Sequence, residues 1–435
     1  MKILIKNGLI VTMNSAFEVL NGDILTDGKM IARIGQDLND PADEIFDAGG
    51  LVIIPGLVQA HVHLCQALFR NAADDLSLLD WLKKRIWPME GKHTAQSLRI
   101  SARLGLAEMI RAGTTTILDM GTVYHQDVIF EEMVRSGIRG YSGKAMMDDG
   151  DIPDSLRETT KESLYESQRL CSAWHGYDDQ RINYAFAPRF ALSCTEKLLR
   201  ETAELARGNN TLYHSHASEN KRETDLVKQR FGCGNIALFE KMNAVGKNLC
   251  LAHCIWVSGD EINLMREFEV NVLHCPTANL KLGSGIAPVP EYFEQGILTA
   301  LGSDGAPCNN NMDIFREMRL AALIQKPKYG PESMPSRDVL AMATINGAKV
   351  LNLDQMTGSI ECGKCADLTF IKNDQVHSIP YENIYSKLVY SAGSMDVEDV
   401  MINGKWVYKD RHLLYENERL LAEQAKNEIK RFYEN

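Results

Sequence analysis

Eight short apolar runs alternate with stretches of helical periodicity, and that alternation constrains this 435-residue chain more than any other feature. The runs fall at 54–58, 115–118, 138–142, 183–187, 211–213, 249–252, 270–273 and 297–301. Stretches between them, such as 96–112 closed by Gly113, repeat apolar residues at helical spacing and end on a stop glycine. Eight strands joined mostly by helices predict a closed parallel (β/α)8 TIM barrel, although a doubly wound sheet shares the same alternation.

The two ends differ from the middle and resemble each other. Residues 3–11 are rich in β-branched side chains, and the segments around 24–34 flank Asp27-Gly28. Near the other end, 366–371 reads as a strand, and 397–402 and 405–408 flank Asn403-Gly404, a strong hairpin signal. A small β-sandwich domain built from both termini is therefore expected beside the distorted barrel. The expected divisions are 1–56 and 356–412 for the sandwich, 57–355 for the barrel and 413–435 for a terminal helix.

Composition narrows the partners. Forty-seven Lys and Arg face 58 Asp and Glu, a formal charge of −11 with no basic stripe, so a small molecule is expected as substrate rather than nucleic acid. No window approaches the ~18 apolar residues of a membrane span, and residues 1–6 carry no signal-like apolar run. Ten scattered cysteines fit free thiols in a reducing cytoplasm, and Cys362-Gly-Lys-Cys365 is expected to be a turn. Self-association into a homo-oligomer is the default.

Polar chemistry clusters where the runs end. Just at or past them stand His61 and His63, Asp119, Lys144, Arg189, His214 and His216, His253, His274 and Asp304; that takes in six of the eleven histidines. In a barrel these strand ends open onto one face, where barrel enzymes carry their sites. Residues two apart on an extended chain point the same way, so His61 and His63 can face one cation. With His216, His253 and Asp304 they make a donor set suited to a borderline divalent metal such as Zn2+, with Fe2+ or Mn2+ also able to use it. Such a metal lowers the pKa of a coordinated water to ~7, which is what hydrolysis near neutral pH needs. Glu219, three residues after His216, reads either as an ordinary helix-start glutamate or as the carboxylate that moves the proton.

The stretch Pro55-Gly-Leu-Val-Gln-Ala-His61-Val-His63, the His216-x-x-Glu219 step, Leu251-Ala-His253-Cys254, His274-Cys-Pro276 and Ser303-Asp304 together resemble the amidohydrolase superfamily over nearly the whole chain. Within it the chain is similar to the aminohydrolase branch: deaminases of adenosine derivatives, guanine deaminases and s-triazine hydrolases. The resemblance implies that His61, His63, His216 and Asp304 hold one metal ion. It also implies that Glu219 shuttles the proton, that His253 orients water or substrate, and that Asp304 helps deprotonate the nucleophile.

By the same resemblance Trp81 and Glu90 line a nucleoside site, Glu90 accepting from both ribose hydroxyls; without it, both would pass for an amphipathic helix. Gln66 and Arg189 depart towards guanine deaminases, where such residues read the base. Lys144 stands where homocysteine-binding members carry Arg, and an ammonium cannot make the bidentate fork, so a small uncharged 5′ group is expected. The combination resembles the 5′-deoxyadenosine, methylthioadenosine and S-adenosylhomocysteine deaminases. The expected reaction is hydrolytic deamination of an aminopurine nucleoside to the oxopurine plus ammonia. A guanine-type base deaminase, an s-triazine hydrolase and a barrel without catalysis are the alternatives. His274 is expected to pack, and Asn309 either caps a loop or faces substrate.

Overall fold

A computed structural model describes residues 1–434. Strands Leu57–His63, Thr114–Met120, Arg139–Gly143, Ile182–Pro188, Leu212–Ala217, Leu249–His253, Asn271–His274 and Thr299–Leu301 follow one another around a parallel sheet. Asp304–Gly305 pairs back onto Leu57–His63 and closes the ring. The mixed α/β, barrel-like class expected from the alternation is what the chain forms. Barrel strands are buried on both faces, as continuous apolar runs require.

Strands from both ends share a second sheet of nine strands. Its order runs from His412–Leu413 through Lys405–Lys409, Val397–Ile402, Leu368–Lys372, Leu51–Pro55, Lys2–Val11 and Val19–Asp27 to Met30–Gly35. Lys2–Val11 shifts register between Ile5 and Gly8, pairing first with Glu44–Asp47 and then with Leu51–Pro55. Ile3, Ile5, Ile24, Ile53, Leu368 and Phe370 fill its core. Asn403 and Gly404 form its expected hairpin, both at positive φ (51° and 67°), the combination a tight type I′ turn needs.

Three local readings shift. The run 54–58 splits at Gly56: Leu51–Pro55 belongs to the terminal sheet and Leu57–His63 to the barrel. A Cβ at Gly56 would stand 2.1 Å from Thr115 Oγ1, so only glycine lets the chain pass from one sheet to the other here. The first hairpin turns on Gly28-Lys29, one residue later than Asp27-Gly28. At the C-terminus, Leu413 pairs in a short strand and the helix begins five residues on, at Glu418–Glu434. Cys362 and Cys365 are free thiols flanking Gly363 at φ 87°. No helix among the described residues is long and apolar enough to cross a membrane.

Candidate active site and metal centre

Strand alternation places His61 and His63 on the same side of Leu57–His63, facing the barrel axis. His216 comes near the end of Leu212–Ala217, His253 ends Leu249–His253, and Asp304 opens the closing strand. Ring centroids of His61 lie 4.9, 4.8 and 5.7 Å from those of His63, His216 and His253. Asp304 Oδ1 is 3.5 Å from His61 Nε2 and 3.3 Å from His63 Nε2. Four of the residues expected at one centre are thus neighbours, with His253 beside them. His253 and Asp304 hold left-handed backbone (φ 73° and 62°), a strain that surrounding structure must impose and that clusters at functional sites.

Hydrogen bonds fix which nitrogen of each ring faces inward. His63 Nδ1 donates to the Met120 carbonyl and His216 Nδ1 to the Arg189 carbonyl, each at 2.7 Å. His253 Nδ1 meets Asn279 Oδ1 at 2.7 Å, and His61 Nδ1 meets His214 Nε2 at 2.8 Å. Burial pushes all four imidazoles towards the neutral form, His61 down to about 4. Neutral rings that donate through Nδ1 carry a lone pair on Nε2. Those of His63 and His216 therefore face each other at 3.3 Å, beside a carboxylate. Lone pairs gathered like this repel unless a cation stands among them, so the donor set fits a divalent metal. Two overlapping triads, His61–His63–Asp304 and His61–His216–His253, each bring their ligand atoms within 4.8 Å of one another.

Glu219 Oε2 lies 3.5 Å from His253 Nε2. Burial, with the negative charges of Asp304 and Glu223 adding to it, raises the Glu219 pKa well above its usual value and so favours its protonated form. Burial, the largest single influence, opposes ionisation of Asp304 too, but His61, His63 and His253 together outweigh it and hold that pKa well below the usual value. Two carboxyl groups whose pKa values are pushed in opposite directions therefore face the same space.

That space is a pocket at the strand ends of the barrel. Leu78, Trp81, Leu82, Phe190 and Leu282 give it apolar walls, and Arg189, Glu219, Glu223, His253 and Asp304 give it polar ones. Trp81, expected at the substrate site, is part of this wall. Glu90, expected open to a ribose diol, instead has both oxygens engaged: Arg189 donates to Oε2 at 2.7 Å and to Oε1 at 3.2 Å, and Gln66 Nε2 donates to Oε1 at 2.8 Å. Lys144, expected beside the substrate, lies outside the pocket wall, ion-paired with Glu158 and near Glu166 of the helix Thr160–Trp174 that packs outside the barrel. Asn309 donates to the Ser303 carbonyl and to Glu317, each at 2.8 Å, which braces the loop after Asp304. His274 is fully buried, its pKa lowered to about 3 by that burial.

Sequence reasoning passed over Asn279, which orients His253, and left His214 without a role, though it contacts His61; neither had a signal beyond its residue type. It also missed Glu223, a pocket-wall carboxylate with a pKa of about 7 raised by burial. Its position four residues after Glu219 was the available clue.

The amidohydrolase family model matches residues 52–407. This chain belongs to the amidohydrolase family. That family is metal-dependent. A 5′-deoxyadenosine deaminase from Methanosarcina acetivorans is 36% identical to this amidohydrolase over 98% of this chain and 96% of its own. A 5-methylthioadenosine/S-adenosylhomocysteine deaminase from Thermococcus onnurineus is 37% identical over 95% of each chain. Among solved structures, an adenosine deaminase from Xanthomonas campestris with bound zinc superposes with a TM-score of 0.94 at 28% identity, covering 100% of this chain and 99% of its own.

Proposed function

We propose that this amidohydrolase is a hydrolytic deaminase of purine nucleosides with a small 5′ group, of the 5′-deoxyadenosine or methylthioadenosine kind, yielding the oxopurine and ammonia. The observation that carries the proposal is the buried Glu219 set beside His253 and the His–Asp cluster in an aromatic-walled pocket. Relatives named for this activity match nearly the whole chain, which supports it.

His61, His63, His216 and Asp304 would hold one divalent ion, zinc by likeness to the zinc-containing relative. When bound, that ion supplies Lewis acidity that makes water a competent nucleophile near neutral pH. The chain's own groups do the rest. Glu219 delivers its proton to the ring nitrogen next to the amine-bearing carbon, which makes that carbon electrophilic as water oxygen adds to it. Asp304 takes a proton from the attacking water, and His253 orients that water. Proton return to the amino group lets ammonia leave and the oxopurine form. Trp81, Phe190 and the leucines exclude bulk water and hold the ring, and Arg189 supplies N–H donors to its edge.

Arg189 on the pocket wall favours a second reading, deamination of a free guanine-type base, since a guanidinium suits a carbonyl acceptor. One screen separates the two. The protein supplied with zinc is offered 5′-deoxyadenosine, methylthioadenosine, adenosine, adenine and guanine, and ammonia release is followed. Turnover of the 5′-modified nucleosides well above the free bases is expected; preference for guanine would replace the nucleoside assignment.

A further inference from the structure

Arg189 follows the barrel strand Ile182–Pro188 and is one of the residues that line the pocket. Glu90, at the end of the short helix Trp87–Glu90, lies behind it, only 3% exposed and outside the wall. The two meet in a bidentate pair of 2.7 and 3.2 Å, and Gln66, three residues after His63, adds a third donor at 2.8 Å. A buried carboxylate so engaged has little capacity left for two ribose hydroxyls unless it gives up Arg189, which would leave a buried charge uncompensated. Arg189, by contrast, has five N–H donors, of which Glu90 takes two. The Arg189 carbonyl also accepts from the His216 backbone at 3.0 Å and the His216 ring at 2.7 Å, so this one residue joins the pocket wall to the His–Asp cluster.

We propose that Glu90 is a positioning residue that acts through Arg189: it holds the guanidinium charge-balanced in the pocket wall, where the free N–H edge reads a neutral acceptor on the substrate. This assignment rests on the deaminase activity proposed above. A guanidinium already neutralised inside the protein gains little from an anion and keeps its directional donors for a ring nitrogen or a carbonyl oxygen. Gln66 contributes by fixing Glu90 from its other side.

The test uses the full-length, zinc-supplied protein as wild type, E90Q, R189M and E90Q/R189M, each with 5′-deoxyadenosine and with 2′,3′,5′-trideoxyadenosine, which lacks the diol. If Glu90 positions Arg189, E90Q raises KM by about tenfold on both substrates, as loss of a charge-assisted contact implies, with kcat changed less than KM. The double variant is then no worse than R189M, and it also removes both buried charges should R189M alone fail to fold. A penalty for E90Q that appears only with the diol-bearing substrate overturns the proposal in favour of direct ribose contact. Nitrogen-15 spectra of the arginine side chains supply a readout that needs no turnover. The Arg189 guanidinium should rotate slowly in the wild type and freely in E90Q, with E90D restoring part of the restriction. Unchanged Arg189 rotation in E90Q overturns the positioning role, whereas a wild type that deaminates no nucleoside defeats the activity and leaves this spectral comparison standing.

Discussion

The proposed reaction makes one chemical demand of Glu219: to carry a proton in a site that already contains the carboxylate of Asp304. Burial answers that demand, because removing water penalises the charged form. Replacement by glutamine keeps the shape and removes the transferable proton. Glu219→Gln should lower kcat by roughly 10²–10⁴-fold while metal content, measured by mass spectrometry, stays at the wild-type level. Asp304→Asn and His63→Ala should do the reverse, releasing metal first. Dialysis against a chelator should abolish wild-type activity, and added zinc should restore it. An Asp304→Asn protein that retained stoichiometric metal would argue against the ligand set. The expected carboxylate and histidines were visible in the sequence because chemistry restricts residue type. The pairing of Glu90 with Arg189 was not, since the two lie 99 positions apart and nothing in either segment names the other.

Helices supply the supports behind the barrel. Thr94 caps the helix Ala95–Arg111 through a reciprocal box with Ser97, and His93 just ahead of it ties that helix to the turn after His63. His93 Nε2 meets the Cys65 carbonyl at 2.8 Å, Nδ1 meets Ser97 Oγ at 2.9 Å, and the ring stacks on Phe69 and abuts Phe432 of the terminal helix. Burial lowers its pKa from 6.5 to about 4. The unfolded chain therefore takes up this proton near pH 6.5 and the folded chain only near 4. Stability contributed by neutral His93 is complete above pH 6.5 and is lost as pH falls towards 4. His93→Gln should flatten the decline of Tm between pH 7 and 4.5 by about one proton's worth, read from melting curves across that range. An unchanged slope would mean that His93 takes up its proton at the same pH in the folded and unfolded states.

The whole molecule is joined across its two sheets by a buried ion pair. Arg139 of the barrel donates through Nε to Asp367 Oδ2 at 2.6 Å, and both side chains are fully buried. Asp367 also accepts the Asn403 backbone N–H at 2.7 Å, so it ties the terminal hairpin to the barrel as well. Asp367→Ala strands a buried guanidinium and should destabilise the fold by about 3–5 kcal/mol in denaturant unfolding. Replacing both partners together with apolar residues (Arg139→Met with Asp367→Leu) should cost clearly less. Equal losses in the two cases would show that packing, rather than the stranded charge, sets the penalty.

Elements with a strong local period were legible along the chain. The eight runs and the Asn403-Gly404 hairpin follow from side-chain alternation and from backbone preferences that neighbours a few residues apart enforce. His61-Val-His63 was legible for the same reason, because spacing of two sets a common side on any strand. Boundaries were less so: the break at Gly56 depends on Thr115, which only the closed barrel brings within reach. Sequence alone thus determined the alternation and the donor types, both of which depend on residue identity and short-range geometry. Tertiary structure alone decided that Lys144 pairs with Glu158 and that Glu90 pairs with Arg189. Those outcomes depend on which charges are stripped of water together, and desolvation is a property of the folded enclosure rather than of any stretch of chain.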